Sequence, residues 1–180
     1  MTQAVPEEAF ARLHATTRAW ADRRRPADWP RDVPVRRLPP PSYDGDLPYN
    51  GFTGAERRRM DQVLIVLRRR GVIATPECDL CGRTERIQLH AEDYFDPFSA
   101  VPVCGGCHSA LHHRFRSPDK WMARLEANAD RPHAGEFRAL PLIEGDFAAW
   151  LRRTTDGPFD PVAAIWGDRD VPGPLPRRKR

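Results

Sequence analysis

Apolar side chains recur at helical spacing in four stretches of the chain, and between these the pattern dissolves into prolines, glycines and charges. Phe10, Leu13, Thr17 and Trp20 share one face of residues 6–24. Pro6, Glu7 and Glu8 suit a first turn there, and Arg23, Arg24 and Arg25 suit the negative end of a helix dipole. A second helix is marked by Thr53 with Glu56 three residues on, a capping-box spacing, and by Gly71 as a left-handed terminus. Met60, Val63, Leu64 and Leu67 line its apolar face. Ser117 with Pro118 begins a third helix bearing Trp121, Met122 and Leu125, and Asp146 caps a short fourth bearing Phe147, Trp150 and Leu151. Two short runs, Ile87-Gln88-Leu89-His90 and Val101-Pro102-Val103, predict strands that lead into a further helix over Cys107 to Phe115. Glu136 to Leu142 predicts an extended stretch.

The 19 prolines among 180 residues cluster at 26–48 and 171–176. They prohibit regular helix and disfavour internal strand. The organisation they predict is an N-terminal helix (1–25), a proline-rich extended linker (26–52), a folded region (53–153) and a proline- and arginine-rich tail (154–180). A small core buries a lower fraction of its surface and commonly needs a staple. The expected class is α+β, mainly helical, with amphipathic helices around a small stapled centre at 76–116. No segment reaches the apolar length of a membrane span, and MTQAVPEEAF lacks the apolar run of a secretory signal. A cytoplasmic protein without membrane association is expected, in a compartment where thiols stay reduced.

The formal net charge is +4, and the basic residues are arginine except for Lys120 and Lys179. Arg57-Arg58-Arg59 and Arg68-Arg69-Arg70 lie eleven residues apart on the second helix, about 16 Å along its axis. Arg57, Arg58, Arg68 and Arg69 are therefore candidates to straddle nucleic-acid phosphates, and a solvated face around a buried stripe explains the pattern equally well. His113, Arg114 and Arg116 form a second basic group at the end of the expected 107–115 helix, candidates to meet nucleic-acid phosphates or merely to complement the helix C-terminus.

The chemistry-bearing residues concentrate between these features. Cys78-Asp79-Leu80-Cys81 and Cys104-Gly105-Gly106-Cys107 are two Cys-x-x-Cys pairs separated by 22 residues. Each spacer turns two sulfurs toward one point, and four thiolates satisfy the tetrahedral preference of zinc. A structural zinc ion is expected on Cys78, Cys81, Cys104 and Cys107. His108 and His112 are four residues apart on one helix face and can chelate a single ion. His90 closes the first strand, so strand, loop, strand and helix make a ββα unit with the zinc pinning the hairpin to the helix.

The series Cys-x-x-Cys, His90-Ala91-Glu92-Asp93-Tyr94, Pro97, Cys104-Gly105-Gly106-Cys107-His108 and His112 resembles the HNH endonucleases. The likeness is to the phage and bacterial branch whose signature reads His-His-x-Asp-Tyr-x-x-Pro followed by Cys-x-x-Cys-His-x-x-x-His. It covers about residues 76–116. The resemblance implies a ββα-metal fold with two metal sites: the zinc, and a divalent ion held by His90, His108 and His112 that stabilises the leaving oxygen of a DNA phosphodiester. Magnesium, manganese, nickel or zinc would be the second ion. In the family a second hairpin histidine activates the water, and here that position is Ala91; in the shifted register His90 is the base and Leu89 stands in the ligand position, so one role is vacant either way. Glu92 is the nearest candidate to stand in as base, with His90 as the other catalytic candidate. DNA is the expected partner. Two other readings follow from the missing histidine: a non-catalytic zinc module that binds nucleic acid, and a structural component whose proline-rich arm and Trp20, Trp121 and Trp150 helices pack on a protein partner.

Overall fold

The computed structural model describes residues 6–27 and 47–155. The central part of the expected linker (28–46) and the tail (156–180) lie outside the described residues. Among the described residues six α-helices, α1 (Glu7–Arg24), α2 (Gly54–Arg69), α3 (Gly105–His112), α4 (Pro118–Glu126), α5 (Ala134–Arg138) and α6 (Phe147–Thr154), accompany two strands, β1 (Ile87–His90) and β2 (Val101–Cys104). The class is α+β. Among the described residues no helix is long and apolar enough to cross a membrane.

The four expected amphipathic helices form where their patterns place them. Phe10, Leu13, Thr17 and Trp20 are all buried on α1. On α2 the Thr53 hydroxyl accepts from the Glu56 amide while the Glu56 carboxylate accepts from the Thr53 amide, so both orphan donors of the capping box are satisfied. Gly71 follows with φ +69°. Asp146 accepts from the Ala149 amide at 2.8 Å and starts α6. Ser117 makes no side-chain cap, and α4 begins instead on the preset φ of Pro118.

The strands pair antiparallel in the register Ile87↔Cys104 to His90↔Val101, and the chain runs from β2 straight into α3. The hairpin loop is closed by a 3-10 turn, Pro97–Ser99, capped by Asp96. Helix α1 lies along this turn: Arg25 bonds Asp96 at 2.6 Å, and its guanidinium sits 4.8 Å from the Phe98 ring. A single apolar cluster joins α1, α2, the hairpin and α3–α6, with Leu13, Trp20, Phe52, Met60, Leu67, Phe98, Trp121, Phe137 and Phe147 at its centre.

Four expectations are corrected. Glu136 to Leu142 is not extended, because α5 occupies Ala134–Arg138. Its Phe137 ring enters the core 5.5 Å from Trp20, and Glu136 accepts from the Trp20 indole at 2.7 Å and from Arg23. Helix α3 starts earlier and stops sooner than the expected Cys107 to Phe115, ending at His112 so that Arg114 turns inward. Residues 47–52 are not a draped connector. Tyr49 and Phe52 form an isolated bridge around a tight turn at Asn50 (φ 49°) and Gly51 (φ +80°), where a Cβ on Gly51 would collide with the Asp146 carboxylate. Finally, Trp20, Trp121 and Trp150 are 0%, 1% and 8% exposed and fill the chain's own core, which leaves none of them to bind a partner.

Candidate metal centres

The first centre forms where the start of the hairpin meets the start of α3. Cys78, Cys81, Cys104 and Cys107 bring their sulfurs within 4.8 Å of one another, and no disulfide links them. The first knuckle is tied by Cys78 N–H donating to Arg83 O at 2.7 Å and Gly82 N–H to Cys78 O at 2.8 Å. Gly82 takes φ +73° against the guanidinium of Arg131, a position where a Cβ would approach within 2.7 Å. The second knuckle is the N-terminus of α3 itself. Arg124 of α4 donates toward Cys107 Sγ at 3.5 Å, the outer-shell contact expected of a thiolate. Hydrogen bonding from the Cys107 thiol pulls Cys78 down to about 4, while Cys107 is pushed up by that same proton sharing and by burial. Four converging sulfurs at this spacing are a donor set suited to zinc.

The second centre lies one turn further along α3. His90 at the end of β1 and His108 and His112 on α3 form a second group whose ligand atoms fall within 4.8 Å of one another. The ring centroids are 4.7 to 5.2 Å apart. Each imidazole is oriented from behind. His90 Nε2 bonds the Glu92 carboxylate at 2.8 Å, and its Nδ1 is buried with no hydrogen-bond partner among the described residues. His108 Nδ1 donates to Gln88 Oε1, so its Nε2 is the bare nitrogen, and it faces His112 Nε2 at 3.0 Å. Tyr49 packs edge-on against His112, with centroids 4.8 Å apart. Burial and the neighbouring rings lower His108 to about 4 and His112 to about 2, and burial also lowers His90, against the pull of Glu92. At neutral pH all three rings are uncharged, the form in which imidazole binds a cation. Bare lone pairs this close repel one another unless a proton or cation lies between them. The residues therefore fit a divalent ion.

No family model, curated protein or solved structure matches this chain. The functional reading therefore rests on the residues themselves.

Glu92 is the hub behind the second centre, and it is wholly buried. It accepts from Tyr49 Oη at 3.0 Å, Asn50 Nδ2 at 2.5 Å, His90 Nε2 at 2.8 Å and Arg114 Nη2 at 3.0 Å. Burial alone would raise its pKa, but the Arg114 charge and the His90 bond outweigh this and hold it at about 2. An enclosed, fully bonded carboxylate with that affinity for protons cannot serve as a general base near pH 7, which removes the expected catalytic role of Glu92. Arg114 is likewise removed from the expected phosphate contacts. It is 0% exposed and also donates to Tyr49 Oη, Leu111 O and Pro141 O. His113 and Arg116 are exposed, and His113 Nδ1 folds back onto Ser109 O at 2.8 Å rather than toward the three histidines.

A cleft of about 490 Å³ opens over the three histidines, with α2 as its opposite wall. Arg57, Asp61 and Arg68 of α2 line it, as do Ala91 and Tyr94 of the hairpin loop. Arg57 is held by Leu47 O at 2.7 Å and lies 5.5 and 5.6 Å from the Tyr49 and Tyr94 rings. Arg68 is exposed and reaches Ile87 O at 3.3 Å, whereas Arg58 and Arg69 do not line the cleft. Tyr49, Asn50 and Gln88 were missed as site residues, and Arg114 was given an outward role in place of its buried one. Gln88 had a signal, since it stands two residues before His90 on the same strand face. Replacing Gln88 with alanine should cost little stability, because the residue is exposed, but it frees the His108 ring. Affinity for a second divalent ion, measured by calorimetry on zinc-loaded protein, should fall about tenfold or more.

Proposed function

We propose that this chain is a metal-dependent hydrolase of DNA phosphodiesters with the ββα-metal architecture of the HNH endonucleases. The observation that carries the reading is the meeting of three neutral imidazoles, two with their tautomers set by Glu92 and Gln88, at the floor of a cleft flanked by Arg57 and Arg68. His90, His108 and His112 would hold the ion, which would neutralise charge building on the leaving oxygen. Arg57 and Arg68, separated by eleven residues along α2, would grip phosphates on either side of the scissile one. The four-cysteine zinc has no part in the chemistry and fixes hairpin to helix, so that His90 meets His108 and His112.

Nicking of supercoiled plasmid by zinc-loaded protein, with magnesium, manganese, nickel, cobalt or zinc added in turn, tests this. Nicking should require an added ion and should vanish in His108→Ala. No nicking with any ion would overturn the proposal. A second reading, the non-catalytic DNA-binding module, is favoured by one observation: a methyl group (Ala91) stands on the cleft wall where the resemblance implies a base. That reading expects salt-sensitive duplex binding with no cleavage.

A further inference from the structure

Hydrolysis needs an acceptor for the proton of the attacking water, and each group that resemblance or proximity suggests is unable to serve. His90, His108 and His112 are the candidate ligands of the ion, with ligand atoms within 4.8 Å of one another. Glu92 is enclosed by four donors. Ala91 has no acceptor. Of the other polar residues on the cleft, Arg57 and Arg68 are cations, the Gln88 amide holds His108, and Tyr94 offers a phenol rather than a carboxylate. One carboxylate lines the cleft among the described residues. It is Asp61, in the middle of the α2 wall, four residues after Arg57 and seven before Arg68. That spacing puts all three side chains on one helix face, opposite the histidines.

A carboxylate between two arginines is a poor design for holding phosphate, since its charge repels the ligand that the arginines attract. Its place on this wall makes sense if it acts on water rather than on phosphate. We propose that Asp61 is the general base that Ala91 cannot be, an inference that rests on the hydrolase reading above. The water oxygen bonds to phosphorus as its proton passes to an Asp61 Oδ. The bond from phosphorus to the leaving sugar oxygen breaks, and that oxygen takes a proton from solvent. Asp61 then returns its proton to bulk water. No oxidant or further reactant is needed.

The test uses the full zinc-loaded chain as wild type, Asp61→Asn and Asp61→Glu. Plasmid nicking is measured with manganese, and binding of a short DNA duplex is measured with no second ion added. Asp61→Asn should lower the nicking rate at least about 100-fold while tightening duplex binding severalfold, because a negative charge leaves the cleft. Asp61→Glu should keep a measurable part of the rate. If wild type nicks and Asp61→Asn nicks within about threefold of it, this inference fails and the hydrolase reading stands. The inference is also overturned if Asp61→Asn weakens binding and nicking together, the mark of a merely structural residue. If wild type nicks with no ion, the hydrolase reading itself fails and takes the base with it.

Discussion

Cys81→Ser should unfold the hairpin and the first turn of α3, with loss of one zinc per chain. The four sulfurs lie within 4.8 Å of one another where the start of the hairpin, β2 and α3 converge. The two-stranded sheet is too small to stand alone. Apparent binding energies for structural zinc reach about 10–16 kcal/mol and appear directly as folding energy. Serine is a far weaker ligand, so most of that stabilisation goes. Far-UV circular dichroism during thermal melting, alongside zinc analysis, reads the result. Removal of zinc by chelator should reproduce it in wild type, and zinc should reverse it. An unaltered melting transition in Cys81→Ser would show that the core stands without its staple.

Arg114→Met should cost about 3–5 kcal/mol, the usual penalty for stranding one partner of a buried ion pair. The side chain bonds Glu92, Tyr49, Leu111 and Pro141 and stacks 4.1 Å from the Phe115 ring. Its removal leaves the Glu92 carboxylate buried without its cation, so Glu92 takes up a proton and loses part of its hold on His90. Denaturant unfolding at pH 7 measures the loss. Glu92→Gln combined with Arg114→Met should recover part of it, because no charge then remains uncompensated. The pH dependence has a definite sign. Glu92 sits at about 2 in the folded protein, against an ordinary value of 4.5. Its contribution is therefore fully present above about pH 4.5 and is lost as pH falls toward 2. Arg114→Met should flatten that acid limb, and an acid limb equal to that of wild type would contradict the pairing.

The four cysteines, the three histidines and the amphipathic helices were all legible in the sequence, because their signals are local. A Cys-x-x-Cys spacer, an i, i+4 pair and a capping box each fix geometry within a few residues. What stayed hidden depends on contacts between segments far apart in the chain. Tyr49 and Asn50 reach Glu92 across more than forty residues, from a stretch whose prolines read as a connector. Arg114 carries the same charge as its exposed neighbour Arg116, and only the early end of α3 turns it inward. Glu136 to Leu142 reads as extended, yet the Trp20 indole and Arg23 hold Glu136 in a helical turn. Asp61 carries no motif of its own, and only the cleft sets it opposite the histidines.

Two ions per chain are expected, one on sulfur and one on nitrogen. Native mass spectrometry of the full chain, with nickel or zinc in modest excess, counts them directly for wild type and His112→Ala. The predicted result is two ions in wild type and one in the variant, with the zinc retained and the melting transition preserved. A wild type that holds a single ion, or a His112→Ala protein that still holds two, would contradict it.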